Sequence, residues 1–160
     1  EYHLVEDKEV NAWCMPGGKI VVYTGLLPMI KSEAELAVVL GHEVSHALLN
    51  HGKQRMSQSI LLNLGGLALN TAIADKSTAA KTGIEMAYGF GTQVGLALPF
   101  SRKHETEADK YGLLWTAIAG YDPHESINLW QRMSNASGKD VPEFFRTHPT
   151  ETNRINALNN

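Results

Sequence analysis

A single cysteine, Cys14, stands in 160 residues, which excludes an internal disulfide framework and any metal cluster built from several thiolates. Cationic runs are missing as well. The 14 Lys and Arg are dispersed, and the longest run is the Arg102-Lys103 pair. With a net charge of −3, no phosphate-binding surface and no nucleic-acid partner are expected. Charge is sparse at 19%, yet apolar residues reach 43%, so wholesale disorder is excluded and one buried core is feasible. There is also no clean apolar run. Met56 to Ala74 carries no charge and approaches the length that spans a bilayer, but Gln58, Asn63, Asn70 and the Gly65-Gly66 pair interrupt it. Its expected form is a pair of buried helices packed through small residues. The alternative is a peripheral membrane contact or a homo-oligomer through residues 57–100. Neither an initiator Met nor a leader-like apolar segment opens the chain, so residues 1–160 read as one domain trimmed from a longer protein.

What is present is a readable order of elements. Ala12-Trp13-Cys14-Met15 and Ile20 to Thr24 form strand-like runs around Pro16-Gly17-Gly18-Lys19, predicting a hairpin over 11–24. Ser32-Glu33-Ala34-Glu35 is a capping box that opens a helix to about Asn50, with Gly52 as its stop. A second helix is predicted from about Pro99 and Ser101 to Gly120. A third starts at Asp122-Pro123-His124-Glu125, and a short last one covers Thr150 to Leu158. The fold class is therefore α+β and mostly helical.

Seven histidines are the compositional oddity, and two of them lie in His42-Glu43-Val44-Ser45-His46, an HExxH sequence. At i and i+4 inside a capped helix, His42 and His46 project from one face and can grip one ion. Glu43, one residue round, can polarise a water held there. A catalytic zinc site of this kind needs a third protein ligand. Leu49 and Gly52 break one known extension of the motif, and Gly65 and Gly66 stand where another would place Glu. The next candidates are Glu105 and Asp109, again i and i+4 on a predicted helix. One of these carboxylates can bind metal while the other accepts a ligand histidine's free N–H.

At this point the chain resembles the gluzincin metallopeptidase family 48, which includes the CAAX prenyl proteases, HtpX and the Oma-type proteases. The resemblance is carried by Asn11-Ala12-Trp13 with Pro16-Gly17-Gly18-Lys19-Ile20, Thr24-Gly25-Leu26-Leu27 and Gly41 to His46. It continues through Ser101-Arg102 with Glu105 to Asp109, Gly120-Tyr121-Asp122-Pro123, and Thr147-His148-Pro149 with Arg154-Ile155. These pieces occur in the family's order over nearly the whole chain. The hairpin version is most similar to the Oma/LoiP-like bacterial envelope branch.

The resemblance implies a zincin-like metallopeptidase domain over 1–160, with a small β-hairpin or sheet packed beside the HExxH helix. It implies one zinc per chain held by His42, His46 and Glu105, with Glu43 as general base and Asp109 behind a ligand histidine. His148 and Arg154 are implied as electrophiles near the site. The strand from Asn11 and Ala12 is implied as the edge to which an extended peptide adds. The expected activity is zinc-dependent endoproteolysis of extended or misfolded proteins in envelope quality control. The expected location is the periplasmic side of a bacterial envelope, as a lipoprotein or membrane-anchored protein. The alternative is a latent or plugged zinc-containing peptide-binding, chaperone-like module, with His148 closing the fourth zinc position.

The remaining histidines are read as bystanders. His51 lies about 140° round an unbroken helix from His46 and is expected as a C-terminal cap. His3, His104 and His124 are expected at the surface, as is Glu107, about 200° round from Glu105. Cys14 is expected to be a small packed residue.

Overall fold

Alternation in two short runs builds the sheet on which the rest is placed. β2 (Ala12–Met15) pairs antiparallel with β3 (Lys19–Tyr23), in register Ala12 to Val22 and Cys14 to Ile20. This puts Ala12, Cys14, Ile20 and Val22 on one face, against the core. A further strand that the sequence did not announce, β1 (Tyr2–Val5), pairs parallel with β3, so the order is β1-β3-β2 and, among the described residues, β2 is an edge. The computed structural model describes residues 1–15, 17–135, 144 and 148; the helix predicted over 150–158 lies outside them.

Two units divide the chain, 1–51 with 104–160, and 52–103. In the first, a 3₁₀ turn (Thr24–Met29) leads into α1 (Glu33–Leu48), which packs against β2 and α5 (Glu125–Asn135). Val38 and Val39 of α1 meet Leu129, Trp130 and Met133 of α5 and the sheet residues in one buried cluster. The result is a helix-rich α+β domain with a small sheet beside the helix that carries the HExxH sequence.

The cap of α1 differs from the sequence reading in an informative way. Ser32 Oγ accepts from the Glu35 N–H at 3.2 Å, but Glu35 accepts from the Lys31 N–H at 2.6 Å rather than from Ser32. Glu35 is buried because Arg132 of α5 reaches it, while Arg132 also donates to the Met29 carbonyl at 3.0 and 3.2 Å. Burial works against the Glu35 charge, and hydrogen bonds from Arg132 and Lys31 outweigh it, holding the carboxyl below its ordinary value. The pair thus ties the cap of α1 to α5. Arg132→Met should cost about 1–3 kcal/mol at neutral pH, because it strands a buried carboxylate. A depressed pKa stabilises the fold above the unfolded value and stops doing so as pH falls through the folded one. The deficit should therefore narrow below about pH 4, and urea unfolding of both proteins at pH 7 and pH 3.5 checks it.

The end of α1 also departs from expectation. Gly52 does not stop the helix; Asn50, in the left-handed region at φ 56°, does, and α2 (His51–Ala72) starts at the next residue with Gly52 inside it. Asn is among the few residues that adopt this conformation at low cost.

The second unit contains the body of α2, α3 (Thr78–Thr92), a π-helical turn (Gln93–Ala97) and the start of α4 (Leu98–Ile118). Within it, α2 and α3 meet through small residues as expected: a Cβ on Gly65 would lie 2.4 Å from Tyr88 Oη, and that hydroxyl donates to the Leu62 carbonyl at 2.8 Å. The expectation that these helices are buried is corrected. Leu61, Leu67, Met86 and Phe90 are 65–73% exposed among the described residues. Among the described residues, no helix is long and apolar enough to cross a membrane.

Candidate metal centre

The centre is made where α1 and α4 cross at Gly41 and Gly112. A Cβ on Gly41 would lie 2.6 Å from the Gly112 carbonyl oxygen, and one on Gly112 would lie 2.9 Å from the His42 nitrogen. Only a residue without a side chain permits that approach. Ser45 and Thr116 fold back on the crossing, donating to the Gly41 and Gly112 carbonyls at 2.8 Å each. The crossing sets His42, Glu43 and His46 of α1 opposite Glu105 and Asp109 of α4, all of them buried.

The side chains converge closely. His42 Nε2 lies 3.0 Å from His46 Nε2 and 3.3 Å from a Glu105 oxygen, and His46 Nε2 lies 3.5 Å from the other Glu105 oxygen. His148 joins them, its Nδ1 3.0 Å from Glu105 Oε2 and 3.3 Å from His42 Nε2. Its Nε2 is 3.4 Å from Glu43. Asp109 stands behind, accepting from His42 Nδ1 at 3.0 Å. In the neutral ring, the form that binds a metal, that bond puts the proton on Nδ1 and leaves the inner Nε2 lone pair facing the cluster.

The donor set fits a metal ion. Four buried donor-bearing residues, His42, His46, Glu105 and His148, offer atoms within 4.8 Å of one another. The contacts of 3.0–3.5 Å among them bracket the edge of a tetrahedron with bonds typical of zinc, about 3.3–3.4 Å. Their charges adapt to one another accordingly. Burial lowers the tendency of His42 to charge, but Asp109 and Glu105 outweigh it and raise its pKa to about 10. For His46 burial prevails over Glu105, and its pKa falls to about 3. Burial also opposes the Glu105 charge, and the imidazoles of His148, His42 and His46 overcome this, holding it far below the usual carboxylate range.

Several sequence expectations need correction at this site. His51 is not the C-terminal cap of α1: it opens α2 and is fully buried, with Nδ1 2.9 Å from His46 Nδ1. His104 is not at the surface either; it is 1% exposed and stacks on His51 with ring centroids 4.1 Å apart. Glu107 is only partly exposed and lies 3.3 Å from His51 Nε2. The turn at Asn50 explains all three, because it resets the direction in which His51 projects, and no helical period crosses such a break. His124 is exposed, as expected. Cys14 packs partly against the core; burial first, then Glu43, push its thiol up, which leaves it a poor nucleophile.

Asn11 and Ala12 are buried at the start of edge strand β2. Asn11 Nδ2 donates to Glu9 at 2.9 Å, while its Oδ1 has no hydrogen-bond partner among the described residues. Arg154 lies outside the described residues.

The whole chain, residues 1–160, matches the family described as peptidase family M48. It is 36% identical over 158 residues to the mitochondrial metalloendopeptidase OMA1 of Arabidopsis thaliana, covering 99% of this chain and 30% of that protein. It is also 36% identical over 163 residues to the protein of the same name from Schizosaccharomyces pombe, covering 99% and 45%. The beta-barrel assembly-enhancing protease of Yersinia pestis is 29% identical over 168 residues, covering 99% and 34%. The chain thus spans between about a third and a half of the length of these curated relatives.

Proposed function

The chain belongs to peptidase family M48, and from that premise we propose that residues 1–160 act as one zinc-dependent endopeptidase domain. The observation that carries the reading is the buried convergence of His42, His46 and Glu105 on one point, with Asp109 orienting His42. These three residues would hold one zinc ion per chain. When bound, zinc supplies Lewis acidity and makes a water molecule acidic enough to attack near neutral pH. Glu43 takes the proton of that water at its carboxylate and passes it to the leaving amine. His148 and Arg154 are assigned to the developing oxyanion, where a second electrophile is required. Among the described residues β2 is an edge strand to which an extended polypeptide could add, and Asn11 Oδ1, which has no partner among those residues, supports substrate binding by Asn11 and Ala12.

The substrates proposed are extended or misfolded polypeptides, and the setting is protein quality control on the periplasmic side of a bacterial envelope. The bacterial relative named a beta-barrel assembly-enhancing protease supports that setting. The exposed apolar residues of 57–100 support a peripheral membrane contact, lipid-anchored or not, or a homo-oligomer, which liposome flotation and sedimentation would separate.

A second reading is favoured by one observation. His148 Nδ1 sits among the ligand atoms rather than outside them, where a latent, plugged centre would have it. Metal content by mass spectrometry, with cleavage of casein in the presence and absence of phenanthroline, tests both. One zinc per chain and chelator-sensitive cleavage are expected; no zinc would overturn the reading. His148→Ala separates the roles. A plug predicts faster cleavage, and an oxyanion partner predicts slower cleavage at unchanged zinc content.

A further inference from the structure

Only one of the two ligand histidines has a carboxylate directly behind it. His42 Nδ1 meets Asp109, whereas His46 Nδ1 meets another imidazole, that of His51. Two neutral imidazoles in contact can share one proton between the facing nitrogens, so what lies beyond His51 decides which ring carries it. Beyond it lies Glu107, with Oε2 3.3 Å from His51 Nε2. A carboxylate only accepts, so the His51 proton belongs on Nε2 and its Nδ1 lone pair faces His46. His46 Nδ1 must then donate, and His46 Nε2 is left with its lone pair directed at His42 and Glu105. The opposite arrangement would put a proton on His46 Nε2, 3.0 Å from His42 Nε2, where a ligand lone pair is needed.

From this relay we infer that His51 is a positioning residue that sets the tautomer and ring orientation of ligand His46, with Glu107 anchoring it. Three features of the fold serve the arrangement. Asn50 turns the chain so that His51, five residues after His46, comes back against it. The ring of His104 lies nearly parallel to that of His51, at 15°, which fixes its plane. Both rings are fully or almost fully buried, so water does not compete for their nitrogens. The ligand histidines are thereby supported from two places: His42 by Asp109 of α4, and His46, through the His51 imidazole, by Glu107, two residues nearer the helix start.

The inference rests on the proposed zinc site, and its test reads zinc affinity, not turnover. Affinity is measured by competition with a chromogenic chelator for the native protein, His51→Phe, His51→Asn and Glu107→Ala. Phe keeps the ring stack but offers no acceptor, and a loss of about 10–100-fold is expected, the usual cost of removing a ligand's outer partner. Asn places a carbonyl near the former Nδ1 and should recover most of that loss, which a purely structural role would not predict. Glu107→Ala changes a partly exposed side chain and should lose affinity in the same direction but less. Should His51→Phe fail to fold, Glu107→Ala decides. In the zinc-loaded native protein, ¹⁵N imidazole shifts should report His51 protonated on Nε2. Native affinity in folded His51→Phe, native affinity in Glu107→Ala, or a proton on His51 Nδ1 would overturn the inference alone. Absence of zinc binding by the native protein would overturn the zinc site as well.

Discussion

Glu43→Gln should keep its zinc and lose peptide hydrolysis by about 10²–10⁴-fold, the contribution typical of a positioned general base. The change is nearly isosteric and removes only the ability to take a proton. Glu43 is buried next to the cluster, 3.4 Å from His148 Nε2, yet it is not in the set of residues whose atoms converge on one point. Zinc content should therefore be unaffected, while casein cleavage collapses. The two quantities must be measured on the same sample, because loss of both would mean that Glu43 holds the site together. Turnover close to native would remove Glu43 from the chemistry.

The second large effect is expected at the helix crossing, where no reacting group is touched. Gly41→Ala would gain about 1 kcal/mol of helix propensity if nothing stood in the way. What stands in the way is backbone: the new Cβ would lie 2.6 Å from the Gly112 carbonyl and 3.1 Å from Thr116 Oγ1. A backbone carbonyl in the middle of α4 has no rotamer to escape into, so the helices must move apart. Overpacking of this sort costs about 1–3 kcal/mol and exceeds the propensity gain. The His42–Asp109 bond and the reach of Glu105 depend on the same spacing, so zinc binding should fall too, and with it the stabilisation that a bound ion lends the native state. Urea unfolding with and without added zinc should show a less stable protein that zinc rescues poorly. Gly83→Ala is the control. It lies inside α3 with nothing within 4 Å of its Cβ position, and it should leave zinc binding alone and raise stability slightly.

Both results depend on features of very different visibility. The HExxH spacing, the capping serine and the Glu105 to Asp109 interval are local regularities of the helix, and the start of α1 at Ser32 and the end of α4 before Gly120 follow from a cap and a breaker written beside them. Such features are legible because they depend on residues within a turn or two of each other. The edge strand β2 was legible for the same reason, through alternation around a glycine turn. The parallel partner β1 was not, because its four residues are all exposed and become a strand only by pairing with β3.

The amino-acid sequence by itself determined that two histidines four residues apart sit on one face of a capped helix, with paired carboxylates on another helix. Tertiary structure alone decided what surrounds that pair. Extrapolating α1 past its end sent His51 away from His46, but a single left-handed residue at Asn50 broke the period and brought it back. His104 and Glu107 then acquired partners that no spacing along α4 could name. The placement of His148 beside His42 and Glu105 is likewise a matter of which distant segments meet. Periodicity constrains direction only within one unbroken element, whereas a site is assembled from several.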